Sequence, residues 1–243
     1  MAYQAVFERY ELKYLLDKEQ KERIVEAVRP HMELDRYGKT TIRNVYFDTK
    51  DYRLIRRSIE KPLYKEKLRV RSYSKSEDDH LVFVELKKKY KKVVYKRRVS
   101  MPEETAMKWL KGECEIEAPG QIEKEIAYVL SYYKDLKPAL FLSYDREAYF
   151  CTDKSDKGKS DFRVTFDENV RCREQDVSLN SQVAGIPLLE NDKVLMEIKC
   201  SGGIPLWMAD ILSKEKLYKT SFSKYGTAYR TIIYPRIRDK EMR

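Results

Sequence analysis

The chain has 243 residues, 42% hydrophobic and 37% charged, and its 50 Lys and Arg against 40 Asp and Glu give a net charge of +10. A chain of this length and apolar content can bury a sizeable core in one large domain or two small ones, which excludes wholesale disorder. The net positive charge points to a polyanionic partner, which could be a nucleic acid, an anionic membrane or a phosphate compound.

Strands and helices follow one another along the chain. Alternation of apolar and polar residues predicts eight strands, at residues 6–15, 41–47, 64–73, 81–90, 92–101, 139–150, 162–167 and 193–200. Helical periodicity predicts helices from Asp17 to Pro30 and at residues 102–110, 119–133, 206–212 and 223–234. Asp17 with Gln20 resembles a capping box, Pro102 occupies the first helical position, and Ser223 can cap the last helix. The polar stretches 74–79 and 152–161 are predicted loops, and no linker divides residues 1–243, so we predict a single domain.

Cysteine and histidine usage argues against a zinc site. The four cysteines are not close neighbours in the sequence, and the chain has only two histidines. No stretch is typical of a signal peptide or of a membrane span. We therefore expect a soluble, reduced protein in the cytoplasm.

The polar positions of the predicted strands carry charge repeatedly. Side chains on a strand switch faces at each residue, so residues two apart share a face. The charged faces comprise Arg9, Glu11 and Lys13; Lys67, Arg69 and Arg71; Glu85, Lys87 and Lys89; Lys96 and Arg98; Tyr144 and Arg146; Arg163, Thr165 and Asp167; and Glu197 and Lys199. The residues between them are largely apolar, so each strand has one charged face and one mostly apolar face.

The charged faces could point either to solvent or to an enclosed space. In a single strand such charges normally face solvent. Here seven strands share the pattern, and the amphipathic helices need an apolar sheet surface to pack against. We therefore predict an α+β fold, a closed eight-stranded antiparallel β-barrel with helices packed outside and charges in the lumen. Because Glu11, Glu85 and Glu197 are too few to neutralise the lysines and arginines, an anionic ligand would supply the missing charge.

Eight short motifs occur in order along the chain. They are RYELKY, NVYFDT, LRVRSY, FVELKKK, SYDREAY, RVTFD, MEIKC and FSKYG, and they extend from about Phe7 to Tyr229. In this order they resemble the VTC domain, the polyphosphate polymerase domain of the vacuolar transporter chaperone family. That family belongs to the triphosphate tunnel metalloenzymes, whose fold is an eight-stranded antiparallel tunnel. The resemblance implies a tunnel that binds ATP or another triphosphate with a divalent metal, Mn²⁺ or Mg²⁺.

The resemblance also implies roles for particular residues. The catalytic set is Lys13, Arg69, Arg71, Lys87, Arg146 and Glu197. The phosphate-binding set comprises Arg9, Tyr144, Ser223 and Lys224. It also includes Lys67, Lys96, Arg98, Arg163 and Lys199, whose assignment depends mainly on the alternation along the strands. Glu197 is the first candidate metal ligand, and Glu11 and Glu85 are further candidates that could equally pair with a neighbouring lysine. The superfamily opens with ExExK, and Arg9 replaces its first acid, which argues against a hydrolase of the thiamine triphosphatase or adenylate cyclase kind.

Three functions remain open from the sequence. The leading prediction is an enzyme that transfers the γ-phosphate of ATP to a polyphosphate chain, a reaction that asks the protein mainly for positioning and charge neutralisation. The alternatives are a non-catalytic module that binds polyphosphate or another polyanion, and an inorganic triphosphatase. No nucleic-acid-binding signature is present, so a sequence-specific nucleic acid is not expected as a partner. A membrane-protein partner could bring the protein to the inner face of a membrane.

Overall fold

The computed structural model describes residues 10–73, 81–91, 93–151 and 162–242. Arg9, Lys92, the start of the first predicted strand and the predicted loops at 74–79 and 152–161 lie outside the described residues. The strands are β1 (Tyr10–Asp17), β2 (Met32–Leu34), β3 (Thr40–Asp48), β4 (Tyr64–Ser72), β5 (Leu81–Tyr90), β6 (Val93–Pro102), β7 (Lys137–Cys151), β8 (Arg163–Arg173), β9 (Ile186–Pro187) and β10 (Lys193–Cys200).

These strands form one antiparallel sheet in the order β1-β10-β8-β7-β3-β4-β5-β6, with β2 added to β7 and β9 added to β8. The eight predicted strands correspond to β1, β3 to β8 and β10, and the α+β prediction is confirmed. β8 continues past its predicted end at Asp167 as far as Arg173. β2 and β9 were not predicted, because segments of three and two residues are too short to show an alternation.

The helices are α1 (Lys18–Val28), α2 (Arg53–Ile59), α3 (Glu103–Leu110), α4 (Gln121–Tyr133), α5 (Leu206–Lys214), α6 (Lys224–Ala228), a π-helical turn (Tyr229–Ile233) and α7 (Tyr234–Glu241). The predicted capping box is confirmed, since Asp17 accepts a hydrogen bond from the backbone of Gln20 and donates its own N–H to the Gln20 side chain. Pro102 is the N-cap of α3 and not its first helical residue. Among the described residues, no helix is long and apolar enough to cross a membrane.

α2 was not predicted from the sequence, because the group that caps it lies outside the helix. The backbone N–H groups of Leu54 and Ile55 donate to the carboxylate of Asp48, at 2.8 and 3.0 Å. The Tyr225 hydroxyl of α6 donates to the same carboxylate at 2.9 Å. Burial raises the pKa of Asp48 although these hydrogen bonds oppose the rise. Asp48 therefore joins β3, α2 and α6.

Apolar residues on the convex face of the sheet pack against the helices. Leu68 of β4 and Leu86 of β5 lie in one core with Trp109 of α3 and Ile126 of α4. A second core joins β1, β8 and β10 to α1 and α5, and its members include Phe166, Met196, Ile24 and Met208. Because the apolar faces of these strands point outward to the helices, their charged faces point to the concave side of the sheet.

The sheet curls strongly, but its hydrogen-bond ladder is open. β1 and β6 are the two ends of the strand order, and the described residues contain no ladder between them. Even so, Lys87 of β5 reaches Glu11 of β1 across the concave side, with Nζ 3.1 Å from Oε2. The segment before α6 also flanks β1, because Thr220 donates its N–H to the Lys13 carbonyl at 2.7 Å. The predicted closed barrel is therefore not confirmed, whereas the inward direction of the charges is observed.

Candidate functional site

The concave face of the sheet collects charged residues from most of the strands and from α6. We call it the basic trough and define it by ten basic side chains and four carboxylates. They are Lys13, Lys67, Arg69, Arg71, Lys87, Lys96, Arg98, Arg146, Lys199 and Lys224, with Glu11, Glu85, Asp167 and Glu197. The period of two in each strand brings these side chains to one face. Positive charge outweighs negative charge more than twofold within this set.

Glu85 is the centre of the first charged cluster in the trough. Its carboxylate is 1% exposed and lies 2.6 Å from Arg69 Nη2 and 2.7 Å from Lys96 Nζ. Arg98 donates to it through Nε at 2.7 Å, and Arg71 Nε is 3.7 Å away. Burial alone would raise the pKa of Glu85, but the four cations outweigh burial and hold it well below its ordinary value. One carboxylate faces four cations here, so the cluster keeps a large positive excess.

Asp167 of β8 and Glu197 of β10 form the second cluster. Arg146 donates to both oxygens of the fully buried Asp167 carboxylate, at 2.6 and 2.7 Å, and Lys224 donates to it as well. Glu197 lies 3.1 Å from Lys13 Nζ, 3.7 Å from Arg146 Nη2 and 3.9 Å from Lys224 Nζ. Burial opposes ionisation, yet these cations lower the pKa of Asp167 and hold that of Glu197 well below its ordinary value. Both acids are therefore carboxylates at neutral pH.

Tyr144 on β7 lies between the two clusters. Its hydroxyl accepts a hydrogen bond from Arg71 Nη2 at 3.1 Å, which connects it to the Glu85 cluster. Its ring is 4.4 Å from Lys224 Nζ and 5.1 Å from the Arg146 guanidinium, a cation–π arrangement that connects it to the second cluster. Tyr144 therefore positions three cations of the trough at once.

The start of α6 also contributes to the trough. Ser223 caps α6, as predicted, because its hydroxyl accepts the N–H of Gly226 at 3.2 Å. The same hydroxyl accepts a hydrogen bond from Lys67 Nζ at 3.1 Å. The preceding residue, Phe222, accepts a hydrogen bond from Lys13 Nζ at 2.7 Å through its carbonyl. α6 thus brings Ser223 and Lys224 to the lysines of β1 and β4.

Three lysines of the trough have lowered pKa values. Burial, together with the nearby cations Lys87, Lys65 and Lys13, lowers the pKa of Lys67 to about 7. The pKa values of Lys96 and Lys199 fall to about 8, since burial outweighs the attraction of Glu85 and Glu197 respectively. The protein therefore holds these ammonium groups at an energetic cost that a bound anion would relieve.

The oxygen donors at Glu197 are of the type that a hard divalent cation prefers. Among the described residues, no group of three or more acidic, histidine or cysteine side chains is placed to hold a metal ion. Glu197 and Asp167 nevertheless face the trough side by side, and the buried hydroxyl of Thr165, the register partner of Glu197, has no hydrogen-bond partner. Mg²⁺ and Mn²⁺ take oxygen ligands, and Mg²⁺ usually keeps waters and substrate phosphates. Glu85 fits less well because it is a single carboxylate among four cations, whereas Glu197 shares a similar number of cations with Asp167. Glu11 already bonds to Lys87 across the trough.

The structure brings most of the predicted site residues together. Lys13, Lys67, Arg69, Arg71, Lys87, Lys96, Arg98, Tyr144, Arg146, Lys199, Ser223 and Lys224 meet in the trough with Glu11, Glu85 and Glu197. Arg9 lies outside the described residues. Arg163 departs from the prediction, because its side chain is 48% exposed at the start of β8 and pairs with Asp35 at 3.3 Å. The alternation predicts Asp167 on a charged face, but the predicted site residues did not include it.

Two proteins of known structure superpose on this chain to different extents. A putative adenylate cyclase from Bacillus halodurans superposes with a TM-score of 0.55 at 15% identity, over 94% of this chain and 100% of that chain. A putative adenylate cyclase from Vibrio parahaemolyticus gives a TM-score of 0.48 at 10% identity, over 92% of this chain and 98% of that chain. At such low identity the first similarity shows a shared fold and nothing about activity.

The sequence assigns the chain to one family within this fold class. The family model of the VTC domain matches residues 8–233, which is most of the chain. The chain therefore belongs to the VTC domain family, and the resemblance of its motifs is confirmed. No curated protein sequence matches the chain.

Proposed function

We propose that the protein is a metal-dependent phosphotransferase that moves the γ-phosphate of ATP onto a polyphosphate chain in the basic trough. The observation that carries this proposal is the charge excess of ten basic side chains over four carboxylates, held on one concave face. A surface charged for solubility would be solvated, whereas here most of the charged groups are half-buried or buried. A chain of phosphates has the charge density and the extended shape to neutralise such a face.

The residues of the trough would contribute mainly positioning and charge neutralisation. Arginine presents a planar fork of donors that matches two phosphate oxygens, so Arg69 and Arg71 on β4 are suited to hold successive phosphates. Lys224 and Arg146 would hold phosphates near the second cluster. When the attacking group is an already ionised phosphate, no general base is needed, and in-line positioning supplies much of the rate.

A divalent cation, Mn²⁺ or Mg²⁺, would be held by Glu197 with help from Asp167. When bound, it would neutralise charge that develops on the transferred phosphate. Lys13 and Lys224 already lie within 3.9 Å of the Glu197 carboxylate. These two ammonium groups would orient the carboxylate in the absence of metal, and would turn to phosphate oxygens when metal and triphosphate bind together.

Incubation with ATP and Mn²⁺ distinguishes the three candidate functions. Gel analysis would detect phosphate polymers, and a colorimetric assay would detect free phosphate. Polymer supports the phosphotransferase, free phosphate alone supports a triphosphatase, and neither product with tight binding of polyphosphate supports a binding module. A protein that binds neither triphosphate nor polyphosphate would contradict the proposal for the whole trough.

Glu197→Gln tests the metal ligand with little change of shape. We expect nucleotide to bind without metal, Mn²⁺ to bind more weakly, and metal-dependent turnover to fall. The matched control is Lys88→Ala on the outer face of β5, where Lys88 pairs with Glu125 at 3.0 Å, and this variant should keep full turnover. Full metal-dependent turnover in Glu197→Gln would place the metal elsewhere, with Glu11 or Glu85 as the next candidates.

A membrane-protein partner would be sought by co-purification from membranes.

A further inference from the structure

Tyr73 follows the last residue of β4 and lies beside two arginines of the Glu85 cluster. Its hydroxyl oxygen accepts hydrogen bonds from Arg71 Nη1 at 3.3 Å and from Arg98 Nη2 at 3.0 Å. Its ring meets Phe83 edge to face, with centroids 5.7 Å apart. These contacts fix the phenol oxygen between the guanidinium group of Arg71, which the proposed function assigns to phosphate, and that of Arg98 in the same cluster.

Tyr73 is more exposed than two other tyrosines that form hydrogen bonds with arginines of the Glu85 cluster. The hydroxyls of Tyr46 and Tyr144 accept from Arg69 and Arg71, but these two residues are 6% and 2% exposed. Tyr73 is 37% exposed. Tyr73 is therefore the most accessible of the three tyrosines, while the other two act as buried supports for the arginines.

Charged groups from three strands face the Tyr73 hydroxyl. They are Arg71 from β4, Arg98 from β6 and, with opposite sign, Glu85 from β5. Burial and Glu85 oppose ionisation of the phenol, but the two arginines outweigh them and lower the pKa of Tyr73 to about 7. Above this pKa the phenolate oxygen would add negative charge to a cluster in which Glu85 alone faces four cations.

We propose that Tyr73 is a phosphate-binding residue that shares Arg71 and Arg98 with the substrate. Before phosphate binds, its phenolate serves as a counter-ion to the two arginines. When a phosphate chain binds, its negative charge replaces that of the phenolate, the oxygen takes up one proton from solvent, and the resulting O–H donates to a phosphate oxygen. No bond other than this O–H forms or breaks. The inference rests on phosphate binding in the trough, as the proposed function requires.

The ultraviolet difference spectrum of tyrosinate tests the ionisation directly. At pH 8 about nine-tenths of Tyr73 should be ionised, since each pH unit above a pKa changes the ionisation ratio tenfold. Saturating tripolyphosphate should abolish this signal in the wild-type protein. Tyr73→Phe should lack it from the start, and the matched control Tyr90→Phe, an exposed tyrosine of β5, should keep it.

The pH dependence of tripolyphosphate affinity tests the shared site. At pH 6 the phenol is protonated, so Tyr73→Phe should bind about 3- to 10-fold more weakly than the wild type, as expected for one lost hydrogen bond. Between pH 6 and pH 8 the wild type should lose about 10-fold more affinity than the variant, because it must first protonate Tyr73. The two affinities should therefore converge near pH 8.

The outcomes separate this inference from the proposed function. If tripolyphosphate binds the wild type but leaves the tyrosinate signal unchanged, or if the two pH profiles run parallel, Tyr73 does not share the phosphate site. Absence of any tyrosinate signal near pH 8 would also overturn the inference. If the wild type binds no tripolyphosphate at pH 6, the proposed function fails, and the inference fails with it.

Discussion

Replacing Lys67 with methionine should stabilise the unliganded protein and weaken its binding of tripolyphosphate. Lys67 is partly buried on β4, and its ammonium group donates to the Ser223 hydroxyl at 3.1 Å. Burial and the neighbouring cations lower its pKa from an ordinary 10.5 to about 7. Methionine keeps most of the length of the side chain and removes its charge.

The size of the gain follows from the pKa of Lys67. One pKa unit corresponds to about 1.4 kcal/mol, so holding the ammonium costs the folded state at most about 4 kcal/mol at pH 7. Loss of the hydrogen bond to Ser223 would subtract about 1 kcal/mol. We therefore expect the free energy of unfolding to rise by about 1–3 kcal/mol in the absence of ligand. Tripolyphosphate should bind about 10- to 100-fold more weakly, because a charge-assisted hydrogen bond is lost.

The stability difference should depend on pH in a defined direction. Because the pKa of Lys67 is lower in the folded protein, the unfolded chain binds more protons between pH 7 and pH 10.5. The free energy of unfolding of the wild type therefore receives a rising contribution from Lys67 across this window. The advantage of Lys67→Met should be full below pH 7, and should shrink as the pH rises from 7 towards 10.5.

Urea unfolding at pH 7 and pH 9.5, with and without tripolyphosphate, measures these quantities. The control is Lys88→Met, which removes a lysine from the outer face of β5 where Glu125 neutralises it. This control should show no gain at pH 7. A Lys67→Met protein that is less stable than the wild type at pH 7, or a difference that does not change with pH, would refute the reasoning.

The charge balance of the trough makes other outcomes measurable. Glu85→Gln leaves four cations without their counter-ion and should lower the free energy of unfolding by about 3–5 kcal/mol, a loss that tripolyphosphate should partly restore in urea unfolding. Arg69→Ala with Arg71→Ala should weaken triphosphate binding by several kcal/mol, at about 1.5–3 kcal/mol for each arginine, and calorimetry showing unchanged affinity would remove the pair from the site. Binding of tripolyphosphate at pH 8 should be accompanied by proton uptake, because the lysines with lowered pKa values become charged. Calorimetry in two buffers of different ionisation enthalpy measures this uptake, and equal heats of binding in both buffers would contradict it.

Much of the site could be predicted because it lies on regular strands. Alternation in β4 and β5 is local, so the shared face of Lys67, Arg69 and Arg71 can be read without knowing which strands are neighbours. The capping groups at Asp17 and Ser223 are local in the same way, since each accepts from a backbone N–H three residues later. These are the features that the structure reproduces most closely.

Features that depend on distant partners could not be predicted. Asp167 is held by Arg146 and Lys224, which lie on other elements, so its sequence context shows only a charge on a strand. Arg163 has the correct alternation, but it begins β8 and pairs with Asp35 beyond β2. Closure of the sheet depends on its accumulated twist and stagger, which alternation does not encode. Tyr73 is the last residue of the predicted strand 64–73 and shares a face with Arg71. Its hydrogen bond with Arg98 of β6 could not be predicted, because it joins two different strands.

The two clusters of the trough differ in their balance of carboxylates and cations. The Glu85 cluster sets one carboxylate among four cations, whereas Asp167 and Glu197 supply two carboxylates to a similar number of cations. A divalent cation adds positive charge, so it is better accommodated where carboxylates are denser. Phosphate without metal is better accommodated at the Glu85 cluster. Under the proposed function, this charge distribution would place a metal-bound triphosphate beside Glu197 and bare phosphates along β4 to β6, with Tyr144 between them.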